Sequence, residues 1–119
     1  MKTVWVTFQR EGIHSYPDAP AEVSFLRNEH RHIFHFRVEL EVFHSERDVE
    51  FIMFKRELEE LYRGISGDTG ILRMNHMSCE SLAETVEAYI LIEYPKRRYS
   101  ISVSEDGENG TTLYSKDFF

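Results

Sequence analysis

The sequence predicts an α+β domain in which a four-stranded antiparallel sheet carries two helices on one face, in the order ββααββ. Three observations predict it. Three segments alternate apolar and polar side chains with a period of two, as half-buried strands do, and a fourth pairs back on the last of them after a glycine-containing turn. Two segments in the middle of the chain space their apolar residues by three and four, as amphipathic helices do. The length of 119 residues, 41% of them apolar and 13% aromatic, suits one core and not two, so both helices must bury their stripes against the same sheet.

The first strand is Lys2 to Gln9, with Val4, Val6 and Phe8 on one face and Trp5 and Thr7 on the other. Glu11 to Ala21 reads as a loop. His30 to His44 is the clearest strand: Phe34, Phe36, Val38, Leu40 and Val42 share a face with His30, His32 and His44, while Arg31, His35, Arg37, Glu39 and Glu41 share the other. Phe54, Leu58, Leu61 and Tyr62 form the stripe of a short helix, with Phe51 to Met53 still extended before it. Arg63 to Gly70 reads as a loop. Ser78 to Glu93 is the second helix, with Leu82, Val86, Tyr89 and Ile90 as its stripe. Ser78 or Ser81 could cap it, Ser81 and Glu84 having the spacing of a capping box, and Pro95 ends it. Tyr99, Ile101, Val103 and Glu105 share one face of the third strand. Thr111 to Ser115 pairs back after a turn containing Gly107 and Gly110.

Charge and composition exclude several classes. With 21 acidic against 14 basic residues the net charge is -7, the wrong sign for a general nucleic-acid partner. No apolar run approaches membrane-spanning length. The alternating N-terminus lacks the layout of a signal peptide, and the lone Cys79 cannot form an internal disulfide, so a reducing cytoplasm is expected.

Two features stand out chemically. His30 and His32, two apart on a strand, leave the same face and begin a metal site of the kind zinc prefers, with His14 on the preceding loop as the candidate third ligand. A cluster of surface histidines has the same appearance. Glu105 ends its strand on the apolar face, where a carboxylate is costly unless it is paired or binds something. Such a group can accept two parallel hydrogen bonds from a pterin or purine ring, or can simply be solvated at the strand end. His76, after Asn75, is a candidate acid or base, or a structural loop histidine. Cys79 reads as a small buried residue. Asp106, Glu108 and Asn109 read as a solvated turn.

The order of these pieces resembles the T-fold, and the motifs resemble the 6-pyruvoyltetrahydropterin and 6-carboxytetrahydropterin synthase family. His14-Ser15-Tyr16-Pro17 resembles its first metal-binding segment, and His30-Arg31-His32-Ile33-Phe34 its His-x-His strand start. Asn75-His76 is similar to its Asp-His pair, Ser78 to Ala83 to its second helix start, and Glu105 to its ring-anchoring glutamate. The resemblance implies that His14, His30 and His32 hold zinc, that Glu105 binds the ligand, and that His76, with Asn75 beside it, takes part in proton transfer. It also implies a substrate such as dihydroneopterin triphosphate or a related pterin, and a homo-oligomer, a hexamer in some members, with sites between subunits. Closure of sheets into an oligomeric barrel would remove the open edges. The chain departs from the pattern in having no cysteine in Val23 to Glu29, where the family's base lies. Two functions follow: a zinc-dependent pterin synthase or lyase with a replaced base, or a module that binds a pterin, purine or nucleotide without turnover. A scaffold without metal or ligand is the third reading.

Overall fold

The computed structural model describes all 119 residues, Met1–Phe119. Its strands are β1 (Lys2–His14), β2 (His30–Val42), β3 (Leu72–Arg73), β4 (Tyr99–Glu105) and β5 (Asn109–Tyr114). Its α-helices are α1 (Phe51–Glu60), α2 (Arg63–Ser66) and α3 (Cys79–Glu93), and two 3-10 segments cover Ala21–Arg27 and Gly67–Thr69. The chain is α+β, as expected, and the sheet is open with order β3-β1-β2-β4-β5. It has five strands and not the four expected. It is mixed and not wholly antiparallel, because Leu72–Arg73 lies parallel to Gly12 and Ile13. Two residues are too few to show a period, which is why β3 was invisible in the sequence.

The long pair β1 and β2 is the backbone of the molecule. Thirteen residue pairs run from Lys2 opposite Val42 to His14 opposite His30, a ladder of roughly 43 Å at ~3.3 Å per residue. Even-numbered positions of both strands face the helices. Phe8 and Phe36 stack there with ring centroids 4.5 Å apart, and Val38, Leu40, Ile101 and Val103 continue the layer. Phe54 and Leu58 of α1 and Leu82, Val86 and Ile90 of α3 close it from above. Each of these side chains contributes about 1.5–3 kcal/mol by leaving water. Tyr62 is buried among them and donates its hydroxyl to Leu82 O at 2.7 Å, and burial raises its pKa.

The ends of the elements correct the expectations in detail. β1 continues through His14, into the stretch expected to be loop. Gly12, within that stretch, serves close packing: a Cβ there would lie 2.8 Å from the Phe34 ring and 2.9 Å from Met74 Sδ. β2 stops at Val42, two residues before His44, where Phe43 N–H turns aside to Asp48 Oδ2 at 2.8 Å. α1 starts at Phe51, because the Glu50 carboxylate accepts from Ile52 N and Met53 N at 3.2 and 2.7 Å and so caps it. Ser78, and not Ser81, caps α3, accepting from Ser81 N at 3.1 Å. The helix stops before Pro95, whose ring disfavours helical geometry at Tyr94. No helix is long and apolar enough to cross a membrane.

Candidate metal centre

The β1–β2 register puts His14 directly opposite His30, with His32 opposite Gly12 on the same face. β4 brings in the fourth group: Glu105 pairs with Phe34, so its side chain emerges beside His32. His14, placed on a loop by sequence reasoning, is therefore the last residue of a strand, and its position is as fixed as those of His30 and His32. The donor atoms of His14, His30, His32 and Glu105 all lie within 4.8 Å of one another, and the group could hold a metal ion.

The three imidazoles meet edge to face. Ring centroids are 4.6 Å apart for His14 and His30, 5.4 Å for His14 and His32, and 5.0 Å for His30 and His32, with planes 66°, 88° and 82° apart. Phe34 forms the floor, its ring centroid 5.4 Å from that of His14 and 5.8 Å from that of His32.

Each ring has its Nδ1 committed to an acceptor. His14 Nδ1–H donates to Met77 O at 2.8 Å, His30 Nδ1–H to Asn28 O at 2.8 Å, and His32 Nδ1–H to Asp106 Oδ2 at 2.7 Å. Carbonyls and carboxylates only accept, so in each neutral ring Nε2 carries the lone pair, the form in which imidazole ligates a metal. Glu105 Oε2 sits 3.0 Å from His14 Nε2 and 3.6 Å from His32 Nε2. Neither nitrogen makes a hydrogen bond, although both atoms are buried. Lone pairs facing a carboxylate at this range repel unless a cation lies among them, and a proton serves only one nitrogen where a metal ion serves all three. Tetrahedral zinc with bonds of ~2.0–2.1 Å needs donors roughly 3.3 Å apart. The two Glu105 distances bracket that figure, and no donor pair is more than 4.8 Å apart.

A cavity of about 790 Å³ opens beside the cluster, lined by His14, His30 and Glu105, by His76 in the turn before α3 and by Cys79 at the start of α3. His76 belongs to this wall, and its Nδ1 lies 3.1 Å from Ser15 Oγ, so Ser15 is the group that touches the ring. Asn75 adopts a left-handed backbone, φ 52°, a conformation asparagine tolerates better than most residues. Its carbonyl accepts Ser15 N–H at 2.9 Å. Cys79 shares the cavity, which nothing in the sequence indicated. Burial first, then Glu105 and Glu80, push its thiol up to about 12, so it is not a ready thiolate.

Sequence reasoning missed Asp106, read as part of a solvated turn. Its φ of 57° and that of Gly107, 71°, fold the β4–β5 turn back over β2. There Asp106 Oδ1 accepts Ile33 N–H at 2.8 Å while Oδ2 holds His32. The Ile33 N–H and then His32 hold its carboxyl below the usual range. The Asp-Gly pair signals the turn, but not what the turn covers.

No protein-family model matches the sequence, and no curated protein matches it as a relative.

Proposed function

We propose that the chain is a zinc protein of the tetrahydropterin synthase type, with a T-fold subunit, acting on the side chain of dihydroneopterin triphosphate or a related pterin. The observation that carries this reading is the convergence of His14, His30, His32 and Glu105, with every Nδ1 turned outward to an acceptor. The donor set, three imidazoles and a carboxylate, suits zinc better than magnesium or calcium, which favour all-oxygen shells. Zinc held by the three imidazoles, with Glu105 beside it, would keep a fourth position for a substrate hydroxyl or carbonyl, which it would polarise.

The chain's own residues supply the rest. Glu105 uses Oε2 toward the imidazoles, and a carboxylate has about four lone-pair sites, so Oε1 remains for an N–H of the heterocycle. That anchor fixes which part of the ligand faces the histidines. His76, held by Ser15, is the acid or base on the cavity wall. The open sheet leaves β5 at one edge and most of β1 exposed at the other, since β3 covers only Gly12 and Ile13. Pairing of these edges between copies gives a homo-oligomer.

One observation favours a second reading, binding without turnover. The only thiol at the cavity is Cys79, and a group pushed up to about 12 is a poor base at neutral pH. Incubation of the zinc-loaded protein with dihydroneopterin and with its triphosphate separates the two. A side-chain-shortened or rearranged pterin identifies the synthase, and ligand recovered unchanged from a stable complex identifies the binder. A purified protein that takes up no zinc sinks both.

A further inference from the structure

We propose that the cavity beside the histidines takes an uncharged heterocycle bearing a hydroxylated side chain, and selects against its phosphate ester. The proposal rests on the zinc-and-pterin reading above and narrows its substrate class from dihydroneopterin triphosphate or a related pterin to the unphosphorylated pterin.

The cavity wall carries three carboxylates, Asp18, Glu80 and Glu105, and no lysine or arginine. Of the cations outside that wall, Arg27 Nε donates to Ala19 O at 2.9 Å. Arg31 pairs with Glu11 at 2.8 Å and Arg10 with Glu59 at 3.1 Å. Arg73 lies with Glu29 in a separate cavity of about 180 Å³ beyond His76. A divalent ion on the histidines offsets two of the three negative charges. A single phosphate monoester brings back about 1.5 to 2 at pH 7, and a triphosphate brings more.

Apart from the metal, whose charge is counted above, the feature that favours an anion is the N-terminus of α3, and it is already matched. Glu80 stands in its first turn, and Ser78 Oγ takes the Ser81 N–H. Tyr16, Pro17, Leu26 and Met77 add apolar wall that suits a flat ring. His14 Nε2, buried and without a hydrogen bond, places the metal donors at the inner end of the cavity, so a ring lying against the apolar wall would have its side chain toward them.

Equilibrium binding of dihydroneopterin and of dihydroneopterin triphosphate to the zinc-loaded protein, at low and high salt, tests this. Zinc content is measured after each titration. Dihydroneopterin is expected to bind at least about tenfold more tightly. Triphosphate affinity is expected to rise with salt, because salt screens repulsion. Glu80→Lys, at an exposed position, is expected to shift the affinity ratio toward the triphosphate. A triphosphate that binds more tightly than dihydroneopterin, with affinity falling as salt is added, overturns the charge inference and leaves the pterin reading standing. Failure of a zinc-loaded protein to bind either compound overturns the pterin reading, and this inference with it.

Discussion

His32 and Asp106, 74 residues apart in the chain, meet at 2.7 Å between Nδ1 and Oδ2, and this contact locks one face of the histidine cluster to the β4–β5 turn. Carboxylates placed behind a ligating histidine raise its basicity and fix its tautomer. Asp106→Ala is therefore expected to weaken zinc binding by about 10- to 100-fold, with Asp106→Asn between it and the wild type. Chelator competition measures it. Equal affinities in all three proteins would remove Asp106 from the site.

The pure protein is expected to hold roughly one zinc per chain. His30→Ala combined with His32→Ala should abolish that stoichiometry, and His14→Ala should reduce it. Metal analysis by mass spectrometry reads the result. Zinc at about 100 times its dissociation constant stabilises the fold by ~2.7 kcal/mol, so a chelator should lower the melting temperature of the wild type and leave the double variant unmoved.

Gly12→Ala tests whether the floor of the site is close-packed. The new methyl group would meet Phe34 at 2.8 Å and Met74 Sδ at 2.9 Å. Overpacking of this kind costs about 1–3 kcal/mol. Urea unfolding should show that loss, and a midpoint equal to the wild type's would mean that Phe34 and Met74 give way freely.

Cys79 should alkylate slowly. Its thiol, pushed up to about 12 chiefly by burial, is almost wholly protonated at pH 8. Iodoacetamide labelling of the native protein, followed by mass spectrometry, should lag far behind the urea-unfolded chain. Comparable rates would show that the thiol is exposed or activated.

Acid should weaken the Asp48 clamp. Asp48 accepts from Arg97 Nη1 and from Phe43 N–H, both at 2.8 Å. Arg97 first, and then the Phe43 N–H, hold its carboxyl below the usual value of 3.8. A depressed folded-state pKa adds stability that is fully present above the unfolded value and is lost as the pH falls through the folded one. Melting temperatures of the wild type and Asp48→Asn should therefore differ most above the unfolded carboxylate value of 3.8 and converge as the pH falls below it. A gap that stays constant with pH would show that the carboxylate's charge is not what matters.

Much of this was legible in the residues. The alternation in His30 to Val42 is long enough that a register error would turn every phenylalanine to water, so the strand and the shared face of His30 and His32 were fixed locally. The stripes of α1 and α3 were equally plain. Glu105 stood out because its alternation placed a carboxylate among apolar neighbours. His14 was found as a ligand candidate but not as a strand residue, because a glycine two positions earlier carries the same letter whether it turns the chain or makes room for Phe34.

By itself, the sequence determined the α+β class, the faces of its long strands and the residue types able to ligate a metal, all of which follow from spacing along a few consecutive residues. Only the tertiary structure decided that four donors from three strands converge, that Asp106 stands behind His32, and that Cys79 and Glu80 share a cavity with them. The physical reason is that periodicity sets which way a side chain points, while register, turn and helix docking set what it meets.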